Sequence, residues 1–358
     1  MGLEKEFGDN LMKIEIYQDP RVFEAIKSRE WNALLESSAT NVIFLTWEWQ
    51  ATWWRHLTPG EMLVITFRDN DDKLQAIIPL FLSVSNDGSR ALSIIGCEDV
   101  SDYLDFIIRP EQEASLCAEL LTVLTSDRVP AWDRMVLCNL PQSSTAYRVL
   151  PNLALGQRLS VNLRTQAVCP VISLPSSWEQ YLSSLDKKQR HEIRRKIRRA
   201  ETEAVTNWYV ISHATHELVS EMDSFIELHR LSSPEKNIFM DTRMHEFFSD
   251  IAVTMADRDW LHLSFIEMQG ERAAGMLSFD YNGSLQVYNS GYAPDRYAQW
   301  SPGIVLLSYC IQDAIARGRS TFDFLRGEEE YKYRFGAQPN PVYELTIAQA
   351  ENTQGGSK

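Results

Sequence analysis

The chain has 358 residues, 44% of them hydrophobic, and a formal net charge of -14. This length and apolar content suffice for two domains of ordinary size, each with its own core. The acidic balance excludes a general duplex-binding protein, which needs cations spread widely over its surface to neutralise phosphates. A local basic site remains allowed.

The cysteines and the chain ends indicate the compartment. Neither C-x-x-C nor a Cys/His ligand spacing occurs, so we expect a reducing compartment, with no disulfide framework and no structural zinc. The charged start MGLEKEFGDNLMKIEIY is unlike a signal peptide, and no apolar run approaches the roughly 18 residues that span a membrane. We therefore expect a cytoplasmic protein without a membrane span and with a short disordered tail, residues 350–358. The five scattered cysteines are Cys97, Cys117, Cys138, Cys169 and Cys310.

The first prominent helix is predicted over TWEWQATWWRHL, residues 46–57. Trp49, Trp53 and Leu57 recur at helical spacing, and Thr46 is a suitable N-cap. A membrane or stacking role for the tryptophans is one interpretation, but we expect them to form the core-facing side of the helix.

The order strand, strand, strand, helix, strand occurs twice. In the first half these segments are EMLVITFR, KLQAIIPLFLS, ALSIIGC, EQEASLCAELLTVLTS and WDRMVLCNL. In the second half they are WLHLSFIEM, RAAGMLSFDY, SLQVYNSGY, SPGIVLLSYCIQDAIARG and TFDFLRG. The first two strands of each set flank a short polar turn, as hairpin strands do. The repeat predicts a tandem duplication of one α/β unit.

Further helices are predicted between the two repeats. They are SSWEQYLSSL, a basic segment, THELVSEMDSFIELHRL and TRMHEFFSDIAVTMA. The stretch PVISLP, residues 170–175, is the predicted boundary between the halves. We therefore expect an N-terminal domain over 1–170 and a C-terminal domain over 171–349, with donor binding and the active site in the second.

The basic segment is DKKQRHEIRRKIRRAETEA, where eight of the thirteen positions from Lys187 to Arg199 are Lys or Arg. No DNA-binding motif accompanies this charge, so a DNA partner is not expected. Two interpretations remain: a solvated face paired with the acidic remainder of the protein, or a docking surface for a polyanionic ligand. A narrow apolar stripe on the helical wheel is formed by Ile193, Ile197, Ala200 and Ala204.

A helix begins at SPG, residues 301–303, after a strand that ends at Tyr292. Serine is a good N-cap, and proline is pre-shaped for the first helical position. Gly303 leaves no side chain where backbone N–H groups point outward, which favours a bound phosphate. A capped helix that holds nothing is the alternative, and neither a Walker loop nor G-x-G-x-x-G occurs.

The segment FDFLRGEEEYKYRFGA, residues 322–337, combines a carboxylate with cations. Asp323 alternates with Phe322 and Phe324 in a predicted strand and faces away from both. A carboxylate at a strand end and cations just beyond could deprotonate an amine and stabilise an oxyanion, but a structural ion-pair cluster explains them equally well. The residues of the loop that follows are Arg326, Tyr331, Lys332, Tyr333 and Arg334.

The segment LHRLSSPEKNIFM, residues 228–240, places a polar group between apolar flanks: His229, Ser232, Ser233 and Lys236. No Asp is placed to complete a triad and G-x-S-x-G is absent, so serine nucleophile chemistry is not expected. A capping or packing histidine is the alternative interpretation.

These three motifs resemble the GNAT acetyltransferase-like family that includes cellulose-biosynthesis proteins of the CelD/BcsL type, itself similar to the Fem-type aminoacyl transferases. The resemblance is carried by LHRLSSPEKNIFM, YNSGYAPDRYAQWSPGIVL and FDFLRGEEEYKYRFG, and extends to the basic segment and to SDYLDFII and TWEWQATWW in the first half. It implies an α/β (α+β) fold of two tandem GNAT-like units, each a mixed, mostly antiparallel sheet flanked by helices. This agrees with the predicted duplication.

The resemblance also implies a donor site. GNAT enzymes bind the pyrophosphate of acyl-CoA at the start of the helix after the central strand, which matches Ser301, Pro302 and Gly303. The usual glycine-richer loop is not reproduced, so the donor is open between acyl-CoA (acetyl-CoA foremost), an acyl carrier protein and aminoacyl-tRNA. Further expected donor-binding residues are Tyr292, Arg326, Arg194 and Arg198.

Catalytic and acceptor residues follow from the same resemblance. In Fem-type enzymes a lysine stabilises the transferring carbonyl, and Lys332 in YKYRFG looks like its counterpart. Asp323 and Tyr331 are expected to orient Lys332, and His229 is a further candidate catalytic residue. Direct transfer to an amine mainly needs positioning and a sink for the proton, so the general base stays open. Candidate acceptor-binding residues are Lys236, Asp102, Tyr103 and Tyr288.

The sequence thus predicts an acyltransferase that moves an acyl group from acyl-CoA to an amine or hydroxyl of a small-molecule or saccharide acceptor, in polysaccharide or cell-envelope biosynthesis by resemblance. One alternative is Fem-like transfer from aminoacyl-tRNA to a peptide or cell-wall precursor. The other is a catalytically silent scaffold for a polysaccharide synthase. No metal is predicted, because the seven histidines lack H-E-x-x-H or comparable ligand spacing.

Overall fold

The computed structural model describes residues 12–97 and 100–349, so the predicted tail lies outside the described residues. The chain forms two compact units: the first comprises the chain up to Ala167 and again from Pro341, and the second is Val168–Asn340. The predicted boundary after residue 170 lies close to this division. Residues 341–349, which the prediction placed in the second domain, return to the first unit.

The strands and helices up to residue 173 follow this order: β1 Lys13–Tyr17, α1 Val22–Ala25, α2 Ser28–Ser37, a 3-10 turn Ile43–Leu45, α3 Trp47–Leu57, β2 Glu61–Arg68, β3 Leu74–Val84, β4 Arg90–Ile94, β5 Ile107–Ile108, a 3-10 turn Pro110–Gln112, α4 Glu113–Leu124, β6 Arg134–Pro141, α5 Thr145–Gly156 and β7 Ser160–Ser173.

The remaining elements are α6 Trp178–Ser184, α7 Lys187–Glu203, β8 Thr206–Ile211, α8 Leu218–Ser232, α9 Pro234–Phe239, α10 Thr242–Ala256, β9 Leu261–Met268, β10 Glu271–Tyr281, β11 Ser284–Tyr292, α11 Pro294–Tyr297, a 3-10 turn Ala298–Trp300, α12 Pro302–Ala316, β12 Thr321–Asp323, α13 Glu330–Arg334 and β13 Gln338–Ala348.

The duplication predicted from the sequence is confirmed by the pairing of the strands. In the first unit β2, β3 and β4 pair antiparallel in sequence order, and β4 then pairs parallel with β6. In the second unit β9, β10 and β11 pair antiparallel, and β11 pairs parallel with β12. The helix between the last two strands is α4 in the first unit and α12 in the second.

The tryptophan helix α3 is part of the core of the first unit. The Thr46 side chain accepts a hydrogen bond from the Trp49 N–H, so the predicted N-cap is confirmed. Trp49 and Trp53 are 0% and 3% exposed, which confirms that they face the core. Full burial of a large apolar side chain contributes about 1.5–3 kcal/mol.

The cysteines depart from the expectation in one place. Cys97 and Cys138, both in the first unit, form a disulfide with their Cα atoms 5.8 Å apart. The expectation of no disulfide was wrong for this pair because sequence spacing does not reveal that the chain after β4 lies beside β6. Cys117 and Cys310 are free thiols, and both of them and Cys169 are buried.

Helices cover opposite faces of the second unit's sheet. Met276 of β10 packs in one core cluster with Val305 and Leu306 of α12, whereas its neighbour Gly275 lies against Phe225 of α8. Successive residues of a strand point to opposite faces, so α12 and α8 lie on opposite sides.

A pair of glycines lets α8 approach the sheet closely. Gly275 of β10 and Gly291 of β11 are directly opposite in the ladder. A Cβ at Gly291 would lie 2.3 Å from the backbone nitrogen of His229 and 2.5 Å from the carbonyl carbon of Leu228, both in α8. The missing side chain therefore sets the distance between β11 and the end of α8 that carries His229.

Within the described ranges, no helix combines the length and apolar character needed to cross a membrane.

Candidate functional site

An opening in the second unit's sheet marks the candidate site. β11 and β12 pair only from Ser284 to Gln286 and from Thr321 to Asp323. Beyond this point β11 continues along β10 to Tyr292, whereas the chain after β12 bonds to β7, with the Phe324 N–H 2.9 Å from the Pro170 carbonyl. The two strands thus separate, and the edge of β11 from residue 287 onward faces the opening.

A bulge in β11 lies where the strands separate. Val287 is opposite Ser278 and Asn289 is opposite Leu277, so Tyr288 is an extra residue in the ladder. Bulges bend a strand and redirect its side chains, and they are common beside active sites. The Tyr288 ring packs 5.3 Å from the Phe248 ring and 5.2 Å from the Phe279 ring. The predicted acceptor residue Tyr288 therefore lies at the start of the opening.

His229 and Lys236 meet at one backbone oxygen of β11. The carbonyl of Ser290 lies 3.2 Å from Nδ1 of His229 and accepts a 2.5 Å hydrogen bond from Nζ of Lys236. Burial lowers the pKa of Lys236, while the Glu329 carboxylate acts in the opposite direction. Both predicted residues therefore reach the edge of β11 that faces the opening.

The same end of β11 is held by Ser232, which closes α8. The N–H of Tyr292 donates to Oγ of Ser232 at 3.0 Å. Tyr292 itself is 41% exposed and ends the strand. The predicted donor residue Tyr292 therefore lies at the end of β11, beside the end of α8.

Lys332 lies under the loop that follows β12. Its side chain is 4% exposed, and its ammonium group donates to the carbonyls of Phe324, Arg326 and Gly327 at 3.3, 3.2 and 3.0 Å. Residues 330–334 form the short helix α13, where a loop was expected. Lys332 thus fixes the shape of the loop that borders the opening.

Glu329 connects the two lysines electrostatically. Its carboxylate lies 2.9 Å from the Lys332 ammonium. Burial acts to raise the pKa of Glu329, but hydrogen bonding and charge from Lys332, together with the charge of Lys236, hold it below its ordinary value. The Glu329 carboxylate therefore lies beside Lys332 and within electrostatic reach of Lys236.

Asp323 and Tyr331 were predicted to orient Lys332, and this role stays a prediction. The Asp323 carboxylate accepts the N–H of Leu325 at 2.7 Å, which stabilises the turn after β12. Tyr331 packs edge-on against Phe324, and burial raises the pKa of its hydroxyl. Arg326 is half-buried beside this turn.

The start of α12 lies beside the basic helix α7. Nζ of Lys196 donates to Oγ of Ser301 at 2.9 Å. Ser301 is the N-cap residue, but its backbone is left-handed, with φ of 55°, and its side chain makes no cap hydrogen bond. The expectation of an ordinary serine cap was wrong, because the preceding 3-10 turn ends in this conformation.

Gly303 leaves space at the start of α12. A Cβ at this position would meet nothing within 4 Å. The Ser301 N–H bonds to the Ala298 carbonyl, and those of Ile304 and Val305 bond to the Ser301 carbonyl. Pro302 has no N–H, so among the described bonds the Gly303 N–H is the donor left without an acceptor. The start of α12 thus combines one N–H group, the positive end of the helix dipole and the ammonium of Lys196.

The predicted pattern of α7 is confirmed. Ile193, Ala200 and Ala204 are 4%, 0% and 0% exposed, and Ile197 packs beside them. Arg194, a predicted donor residue, is half exposed and pairs with Glu179 at 2.6 Å. Arg198, another, is exposed. Several cations of α7 are thus paired with carboxylates, and Lys196, which lies 3.8 Å from Glu192, also donates to Ser301 at the start of α12. A docking surface for a polyanionic ligand stays a prediction.

The predicted acceptor residues Asp102 and Tyr103 belong to the first unit. They are 7% and 4% exposed, in a buried segment that precedes β5. In this segment the Asp105 carboxylate accepts the N–H groups of Thr145 and Ala146 at 2.7 and 2.9 Å, and burial raises the pKa of Asp105 to about 6. An acceptor role for Asp102 and Tyr103 stays a prediction.

Sequence reasoning missed two residues of the site. Lys196 was one of eight cations within thirteen positions, and its position at the border of the apolar stripe, beside Ile193 and Ile197, is the signal that could have found it. Glu329 stands in the run of three glutamates before Tyr331. Only its i, i+3 spacing to Lys332 distinguished it from its neighbours.

A known protein family matches most of the second unit. Residues 187–333 match the family model of the acetyltransferase (GNAT) domain. The chain thus contains a GNAT-type acetyltransferase domain, and its predicted fold class, an α/β structure of tandem GNAT-like units, is confirmed. No curated protein sequence matches the chain. The CelD/BcsL type stays a prediction.

Solved structures resemble nearly the whole chain. FemX aligns with a TM-score of 0.65 at 11% identity, over 93% of this chain and 96% of FemX. A conserved protein of unknown function from Bacteroides thetaiotaomicron aligns at 0.57 and 11% identity, over 90% and 98%. L-PGS from Bacillus licheniformis aligns at 0.55 and 11% identity, over 92% and 94%. At such identities the similarity concerns the fold.

Proposed function

We propose that the second unit is an acyltransferase that moves an acyl group, acetyl foremost, from acyl-CoA to an amine or hydroxyl acceptor. The supporting observation is the opening between β11 and β12. The start of α12 with Lys196 lies on one face of the sheet, and His229 and Lys236 of α8 and α9 lie at the edge of the opening. Donor and acceptor can thus approach the same strand from two sides.

The phosphates of the donor would bind at the start of α12. An anion there meets the N–H of Gly303, the positive helix end and the ammonium of Lys196. Ser301 places its hydroxyl at the same point. The acyl arm would then extend along β11 beyond Gln286, where β11 no longer pairs with β12. A backbone N–H of this part of the strand would stabilise the acyl carbonyl as negative charge develops on its oxygen.

In the transfer step the acceptor's lone pair attacks the acyl carbon, and the bond from that carbon to the donor's sulfur or oxygen breaks. The packed rings of Tyr288, Phe248 and Phe279 would give the acceptor side an apolar surface. Lys332 stabilises the loop after β12, which borders the opening, by donating to its backbone carbonyls. The predicted role of Lys332 in stabilising the carbonyl belongs to this proposal. The chain therefore promotes transfer mainly by positioning the donor and the acceptor.

A second donor, aminoacyl-tRNA, is favoured by one observation. Pro302 and the bonds made by its neighbours leave a single free N–H at the start of α12, which is little for a pyrophosphate. The exposed cations of α7, such as Lys187, Lys188 and Arg198, would suit a longer phosphate backbone. In that case the acceptor is a peptide or cell-wall precursor, as the resemblance implies.

A donor assay separates these alternatives. The full chain is incubated with amine acceptors, such as glucosamine, and either acetyl-CoA or charged tRNA, and acyl transfer is followed by mass spectrometry. Turnover with acetyl-CoA that is indifferent to ribonuclease supports the first proposal. Turnover that needs charged tRNA and is lost on ribonuclease treatment supports the second. No turnover and no binding, with full function in vivo of a Lys332→Ala protein, would favour the scaffold for a polysaccharide synthase.

Replacing Lys196 by glutamine is expected to raise the Kd for acetyl-CoA at least about tenfold, because a hydrogen bond to a charged group contributes about 1.5–3 kcal/mol. The side chain is only 23% exposed, which limits solvent screening of its charge, and the Glu192 carboxylate 3.8 Å away offsets part of that charge. Isothermal titration calorimetry measures the change.

Lys187→Gln is the matched control for this substitution. It removes the same charge from the first turn of α7, about 13 Å along the helix from Lys196. Acetyl-CoA binding should be unchanged in this variant. If both variants weaken a donor equally, and the loss grows at low salt, the donor is a polyanion that lies along the whole of α7, as tRNA would.

A further inference from the structure

His229 presents one nitrogen to a backbone carbonyl and leaves the other without a partner. Nδ1 lies 3.2 Å from the Ser290 oxygen, which only accepts hydrogen bonds, so Nδ1 carries the proton. Nε2 has no hydrogen-bond partner among residues 12–97 and 100–349, although His229 is only 1% exposed. Buried polar atoms in native proteins are nearly always bonded, so such an atom needs an explanation.

The surroundings keep this imidazole neutral. Burial and the charge of Lys236, which shares the Ser290 carbonyl, lower the pKa of His229 to about 4. Arg230, the next residue of α8, adds a smaller effect of the same sign, and its guanidinium is bonded to the Met240 carbonyl at 2.7 Å. The Glu329 carboxylate acts on Lys236 from the loop before α13. Nε2 therefore carries a lone pair over the physiological range.

The rings of two aromatic residues enclose the imidazole. The Phe225 ring, one helical turn earlier, lies 6.0 Å away, and the Phe239 ring of α9 lies 6.5 Å away. Phe239 in turn contacts Phe248, which packs against Tyr288 at the bulge. The unpartnered nitrogen thus belongs to the same apolar wall that borders the acceptor side of the opening.

We propose that Nε2 of His229 accepts the hydrogen bond from the N–H or O–H of the attacking acceptor, and that Lys236 is a positioning residue that holds the Ser290 carbonyl to which Nδ1 donates. This inference rests on the proposed acyl transfer. The acceptor's lone pair forms the bond to the acyl carbon, the bond to the donor's sulfur or oxygen breaks, and the acceptor's proton passes by way of Nε2 to that leaving atom. His229 is neutral again at the end of the step, and the protein is chemically unchanged. The site therefore takes a neutral amine or a hydroxyl.

Nitrogen NMR of the full chain with labelled histidine tests the tautomer without any substrate. We expect His229 to carry its proton on Nδ1 and to stay neutral from pH 8 down to pH 5. Lys236→Met should raise the pH at which His229 takes up its second proton, and Arg230→Gln should raise it less. A proton on Nε2, or protonation of the wild-type residue near its ordinary pKa of 6.5, would overturn the inference.

Two substitutions of His229 distinguish the roles of its two ring nitrogens in turnover. Asparagine keeps a donor near the position of Nδ1 and removes the acceptor, so kcat should fall about 100-fold. Its KM for the donor and its melting temperature should hardly change. Glutamine, which can place an oxygen near Nε2, should retain more of kcat. A His229→Asn protein with kcat within threefold of wild type would contradict the inference. Absence of turnover in the wild type would instead count against acyl transfer, and the NMR result would still decide the tautomer.

Discussion

Replacing Lys332 by methionine is expected to lower the free energy of unfolding of the second unit by about 3 kcal/mol or more and to abolish transfer. The ammonium group satisfies three carbonyls of a loop that includes two residues with positive φ, Leu325 at 55° and Gly327 at 120°. Each buried carbonyl that loses its donor costs about 1–3 kcal/mol. The loop would open and the Glu329 carboxylate would lose its partner. Urea denaturation measures the first effect and the donor assay measures the second.

Arg334→Met provides the control for Lys332→Met. Arg334 also lies in α13 and pairs with Glu330 at 2.6 Å, but its side chain is 53% exposed. Its loss should change the free energy of unfolding by less than about 0.5 kcal/mol, because exposed ion pairs contribute little. If Lys332→Met is as stable as Arg334→Met and yet inactive, the lysine acts on the transferring carbonyl and not on the loop. If it is stable and active, the site lies elsewhere.

Replacing Gly291 by alanine is expected to lower the free energy of unfolding by about 3 kcal/mol and to reduce transfer. The added carbon would lie 2.3 Å from the backbone nitrogen of His229, closer than real contacts allow. The atoms around it belong to the backbone of α8, so no side-chain rotation can relieve the overlap. Helix α8 must therefore shift away from β11. That shift would break the contact between His229 and the Ser290 carbonyl, because both lie at this crossing.

Gly275→Ala is the matched comparison for this second substitution. Gly275 is opposite Gly291 in the ladder, but its Cβ would meet side-chain carbons of Phe265 and Phe225 at 3.0 and 3.2 Å. Rings can adjust by a few tenths of an ångström, so a loss of about 1 kcal/mol is expected. Equal destabilisation by the two substitutions would show that the approach of α8 is not set by Gly291.

The strands were predictable because their pattern is strong. EMLVITFR and SLQVYNSGY are strands with the predicted bounds, β2 and β11. Repetition of the same order then suggested the duplication before any pairing was known. The basic helix was predictable for a similar reason, since an apolar stripe of Ile and Ala in a run of cations fits only one face of a helix.

The shape of the site could not be predicted because it depends on backbone contacts between distant segments. Lys332 stands in a charged run, and a buried position for its ammonium requires the three carbonyls that the turn after β12 supplies. The left-handed Ser301 and the shared carbonyl of Ser290 likewise arise from how segments meet. The resemblance identified His229 and Lys236 as candidates, but not the oxygen that joins them.

Hydrogen exchange of the full chain, measured by mass spectrometry with and without a donor, tests the central claim most directly. Acetyl-CoA, or charged tRNA if acetyl-CoA does not bind, should slow exchange in three segments: 193–199 of α7, 287–292 of β11 and 298–305 at the start of α12. Protection of these segments should weaken in Lys196→Gln and persist in Gly275→Ala. Donor binding that protects only the first unit, or no protection by any donor, would contradict an acyl-transfer site in the opening between β11 and β12.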